Sequence, residues 1–124
     1  MIGQHLPPDH TKGDASTIGG YAAVHARPAG FEGVDGASYS VEVMTDETGD
    51  PRAPWGAYLF FVRWTPGRPG LEGHLESPFL ERGASAAEAE AALGRWTLDV
   101  GKRTLDALIQ QRDVGIVEPG AHDG

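Results

Sequence analysis

Within GHLESPFL (73–80), His74 and Glu76 stand two residues apart, and Glu72 shares their phase one step earlier. Residues spaced by two lie on one face of an extended chain, so an imidazole and a carboxylate meet there. Such a pair can act as a general base. With a second imidazole the same group can hold zinc or iron(II), and His25 is the candidate for that ligand. Glu42 offers a further carboxylate if its strand turns the same way. The residues to watch are therefore His74, Glu76 and Glu42 for catalysis, and His25, His74 and Glu76 for metal. An ordinary solvated Glu–Arg–His network uses the same residue types, so the expectation is a protein with no bound metal and no cofactor.

Other polar stretches carry less. HLPPDH (5–10) places His5, Asp9 and His10 together, with nothing to hold their geometry. DETGDP (46–51) lacks the ligand spacing of an EF-hand loop. The glycines of AGFEGVDGA (29–37) match neither a dinucleotide nor a P-loop fingerprint. There is no G-x-S-x-G or comparable nucleophile motif.

Composition narrows the classes further. The chain has 124 residues, enough for one core and too few for two. Its net charge is −8 and its pI about 4.9, a surface that repels phosphate. Nucleic acid and anionic membranes are thereby expected to be absent from its partners. With no cysteine, disulfides, thiolate metal sites and cysteine nucleophiles drop out together. No apolar run approaches the roughly 20 residues that span a bilayer, and MIGQHLPPDH does not read as a secretory signal. The expected location is the cytoplasm.

The elements that must position these residues follow from periodicity. Residues 1–17 show no period and contain a double proline, which predicts a flexible arm; 18–118 form a single α+β domain and 119–124 a frayed tail. YAAVHARP (21–28) reads as a first strand closed by Pro28, and AGFEGVDGA as a loop. SYSVEVMT (38–45) alternates cleanly, and WGAYLFFVRW (55–64) is apolar on both faces, as a central strand is. TPGRPG (65–70) is a hairpin connection, and LEGHLESPFL (71–80) alternates until Pro78. Ser85 with Glu88 forms a capping-box pattern that opens one long helix over 85–112. Val114 to Val117 can supply a fifth strand. The fold class is α+β: a four-stranded antiparallel meander packed on one long C-terminal helix.

That helix carries two apolar seams where a sheet needs one. The second seam contains Gly94, Leu98, Gly101 and Leu105, and its small residues predict a close neighbour. The neighbour is either an intrachain segment, the loop 29–37 or the tail near Ile116, or the same helix of a second copy. Arg95–Asp99 and Lys102–Asp106 are expected ion pairs on the solvent side.

One helix covers one face of the sheet. Tyr39, Val41, Val43, Leu71 and Leu75 are expected to face it. Because an unpaired buried charge costs several kcal/mol, Arg63 is expected to face away, and alternation then carries Leu59 and Phe61 outward with it. The outer face becomes an apolar strip of Leu59, Phe61 and Met44, with Arg63, Glu42, His74 and Glu76 around it. The expected function is a non-enzymatic oligomeric binding or adaptor module, acting through this face or the helix seam. Its partners are a second copy of itself, as a homodimer or higher oligomer, and either a small molecule or another protein. The alternative is a small enzyme with a His/Glu site on the outer face.

Overall fold

The computed structural model describes residues 7–64 and 71–117, without the side chains of Leu71, Glu72 and 113–117. The expected hairpin at 65–70, the facing of Glu72 and the tail at 119–124 lie outside the described residues. After a 3-10 turn at His10–Lys12, three α-helices and five strands follow among the described residues in the order α1 (Ile18–His25), β1 (Gly30–Glu32), β2 (Ser38–Glu47), β3 (Trp55–Trp64), β4 (Leu71–Glu76), β5 (Glu81–Gly83), α2 (Ala86–Gly94) and α3 (Leu98–Val117). The class is α+β, and the strands form an antiparallel meander β1-β2-β3-β4, with β5 added to β3 beside β4.

The sheet is built around β3, whose aromatic and aliphatic run suits a strand flanked on both sides. An unbroken ladder joins it to β2, from Ser38 opposite Trp64 to Glu47 opposite Trp55. The turn between them folds on itself: Thr48 donates its hydroxyl to the Ala53 carbonyl at 2.7 Å, and Asp50 accepts from the Arg52 amide at 2.9 Å. All three helices lie on one face. Ala57, Leu59 and Phe61 of β3 and Tyr39 and Val41 of β2 are sealed beneath them with Ile18, Ala89, Leu93, Leu105 and Ile109.

Four expectations change. YAAVH is helical, because Thr17 caps it by accepting from the Gly20 amide at 3.0 Å, and alanines favour the helix it opens. The meander's first strand comes instead from Gly30–Glu32, inside the stretch read as a loop. The long helix is two helices: Ser85 caps α2 as expected, accepting from the Glu88 amide at 3.1 Å, but the chain breaks after Gly94 and restarts at Thr97. The fifth strand is Glu81–Gly83, not Val114–Val117, which continue α3.

The break between α2 and α3 is stitched to the start of α1. The Ile18 amide donates to the Trp96 carbonyl and the Leu98 amide to the Ser16 carbonyl, both at 2.9 Å, so Thr17 and Thr97 form an isolated antiparallel bridge. Each threonine also turns its hydroxyl to the amide three residues on. Residues 9–17 are tied down besides, since the Asp9 amide donates to the Val24 carbonyl at 3.0 Å.

Candidate functional site

The facing of β3 is the reverse of the sequence expectation. Leu59 and Phe61 are 0% exposed, inside the core, and Tyr58, Phe60, Val62 and Trp64 point away from the helices. The premise that moved them was that Arg63 must avoid the interior. Arg63 does turn inward, but at the strand's end and into a polar cluster. Its Nε lies 3.7 Å from Asp35 Oδ2, which also accepts from Arg112 Nη2 at 3.3 Å and from the Tyr39 hydroxyl at 2.8 Å. Asp35 Oδ1 accepts from the Ala37 amide at 3.1 Å, which ties the β1–β2 turn to the same carboxylate.

With a side chain only 14% exposed, Asp35 is pushed up by burial. The Ala37 amide, Tyr39 hydroxyl and two guanidiniums outweigh that and hold its carboxyl below the usual carboxylate value. Burial, and then the bond to the Asp35 anion, push the Tyr39 phenol above its ordinary value. The cluster fastens turn, sheet and α3 together. The signal for it was an aspartate between glycines four residues before an inward tyrosine, whose cross-strand partner is Arg63.

On the outer face the register places Glu42 opposite Phe60, and Phe60 opposite Glu76; Ser40, Val62 and His74 form the next row. His74 Nε2 lies 3.1 Å from Glu76 Oε2, the carboxylate accepting, with both side chains 48% exposed. The imidazole stacks on Phe60, ring centroids 4.8 Å apart. The sequence-derived pair is therefore real as a contact. Glu42 stands across Phe60 from Glu76, about 10 Å away by strand spacing. His25 does not join them: it ends α1 on the helical side, against Tyr21 at 4.2 Å and His10 at 6.1 Å. Among the described residues no three His, Cys, Asp or Glu side chains assemble as a metal-binding group.

What dominates the face is an apolar column along β3. Trp64 is 41% exposed, Val62, Phe60 and Tyr58 are half-buried, and Met44 beside them is 38% exposed. Phe79 closes the far end by lying over Gly56, where an added Cβ would meet its ring at 2.4 Å. Tyr58 and Phe79 meet edge to face at 6.1 Å, and the Arg82 guanidinium sits 5.4 Å from the Phe79 centroid. A shallow depression of about 370 Å³ lies there, edged by Asp46 and Glu76.

From Gly94 to Leu105 the helix seam is covered within the chain, while Ala87 and Ala91 of α2 are exposed. A Cβ on Gly19 of α1 would stand 3.1 Å from Gly94 Cα, so the two backbones touch; Gly101 is covered by Ile18 and Phe31. Leu105 is 0% exposed and Leu98 packs against the core. The close neighbour inferred from the small residues exists, and it is α1 with part of 29–37. On the solvent side Lys102 pairs with Asp106 as expected, while Asp99 pairs with Arg103 at 3.6 Å rather than with Arg95, which precedes α3.

No family model matches this chain, and neither curated proteins nor solved structures give a match.

Proposed function

We propose that this chain is a non-enzymatic binding module that meets protein surfaces, a second copy of itself first, through the outer face of its sheet. The observation that supports it is the apolar column Trp64–Val62–Phe60–Tyr58 with Met44, left uncovered by the described residues on a domain whose helices pack on the other sheet face. An apolar centre with a rim of Glu42, Asp46, Glu76 and Arg82 has the layout of a protein interface. Symmetric self-association is the simplest use of such a face. The helix seam is the weaker candidate, since α1 lies against Gly94, and Ile18 and Phe31 cover Gly101.

Light scattering coupled to size-exclusion chromatography tests this. The wild-type chain is expected to elute as a dimer at high micromolar concentration and Phe60→Ser/Val62→Ser as a folded monomer. A wild-type chain that stays monomeric there would overturn self-association. One observation favours a second reading, a small enzyme using His74 as base: its 3.1 Å contact with Glu76. Turnover of a simple ester or phosphoester that vanishes in His74→Ala would move the reading to that pair.

A further inference from the structure

β2 is paired along its whole length with β3 but only over Ser38–Ser40 with β1. The Val41 amide makes the last contact on that side, donating to the Ala29 carbonyl at 3.0 Å. Beyond it Pro28 has no N–H to give, and the chain turns away into α1. Backbone groups alternate sides along a strand, so those of Val43 and Thr45 point the same way as those of Val41. Among the described residues no strand lies beside them. The edge is thus open for about the length of an average strand.

Next to this edge, between α1, β2 and α2, lies a cleft of about 350 Å³. Ile18, Ala22, Val41 and Val43 give it an apolar lining, and Arg27 and Glu90 stand at it. It lies on the helical side of the sheet. On the opposite side the same segment carries Glu42 and Asp46, both exposed.

The geometry points to β-strand addition: an extended peptide of a partner protein, alternating apolar and basic residues, pairs antiparallel with β2 over Glu42–Glu47. Its backbone satisfies the open groups of Val43 and Thr45. Its apolar side chains enter the cleft, and its lysines or arginines stand opposite Glu42 and Asp46, where opposite charges across a strand pair stabilise. The same charges disfavour a second copy on this edge, since Glu42, Asp46 and Glu47 of each would share one ribbon. This contact runs along the β2 edge, shares only Glu42 and Asp46 with the rim of the outer face, and does not rest on self-association there.

A fluorescein-labelled peptide of alternating valine and lysine, about eight residues long, provides the test. Fluorescence anisotropy is expected to show saturable binding, weakened by salt. Methylating the peptide amides that face β2 should weaken it about tenfold or more, because a backbone hydrogen bond is lost at each. Glu42→Lys/Asp46→Lys should reverse the preference toward a valine–glutamate peptide. Amide exchange gives an independent readout on the unaltered chain: the Val43 and Thr45 amides should exchange fast when free and become protected by the peptide. Equal binding of methylated and unmethylated peptides, absence of binding at high micromolar concentration, or unchanged exchange at Val43 and Thr45 would each overturn the proposal.

Discussion

Phe61 and Phe60 are neighbours on β3, with the same side chain and opposite fates. Phe61 lies at 0% exposure among Tyr39, Leu59, Leu105 and Ile109, while Phe60 carries the His74 ring and faces solvent. The middle of the strand repeats the contrast, with Ala57, Leu59 and Phe61 buried and Tyr58, Phe60 and Val62 half-exposed. Polar atoms account for only part of the sorting, since Phe60 and Val62 carry none and lie outside, while Tyr39 and Arg63 bring theirs inside to Asp35. Tyr58 and Trp64 bear an O–H and an N–H and lie outside, where Trp64 Nε1 donates to Ser40 Oγ at 3.1 Å. Ala57, Leu59 and Phe61 have no such atoms and lie inside. An inner face can be filled by packing alone; the open face keeps apolar area available for a partner.

The sharpest way to break this contrast is a pair of truncations read by urea denaturation. Phe61→Ala should cost about 3–5 kcal/mol, through lost transfer energy and the cavity left behind. Phe60→Ala should cost no more than about 1 kcal/mol in the monomer. Similar losses at both sites would mean that the outer face is covered within the chain.

The next effect comes from the polar end of the inner face. Asp35→Asn should destabilise by about 1–3 kcal/mol near neutral pH, since it weakens a carboxylate that two guanidiniums, a phenol and an amide share. The carboxyl of Asp35 ionises more readily folded than unfolded, so its contribution is present above the ordinary carboxylate value and is lost as pH falls through its lowered one. Denaturation midpoints against pH should therefore show a shallower acid limb in Asp35→Asn than in the wild type. Parallel acid limbs would remove the cluster from the account.

The smallest effect belongs to the outer face. His74→Ala and Glu76→Gln should each change the unfolding free energy by no more than about 1 kcal/mol, since a half-exposed polar contact is well screened by water. A larger loss would show that this pair is held more firmly than its exposure implies.

The sheet was largely legible because period-two patterns report strands directly. SYSVEVMT and LEGHLE form strands, and Tyr39 and Val41 face the helices as their alternation requires. Local caps were legible too, in Ser85 before α2. What failed was decided mostly at long range. The facing of β3 turned on Arg63, and its partner Asp35, which also takes Arg112, lies far from it in sequence. The α1 helix was missed because Tyr21 and Val24 near a proline resemble a short strand, while the stabilising features are the Thr17 cap and a glycine contact with α2. For the candidate site, the His74–Glu76 contact was readable from spacing, but His25 was placed with it only by reading a helix as a strand.

The bridge between Thr17 and Thr97 has a kinetic consequence. Its two sides are separated by nearly the whole domain, so bringing them together requires closing one of the largest loops the chain can make. That entropy is best met after β2–β3 and α2 have assembled, when the two ends are already near. The bridge should therefore close late in folding, and mutations at Thr17 should speed unfolding more than they slow folding. A seam of two amides would then act as the latch on the finished domain.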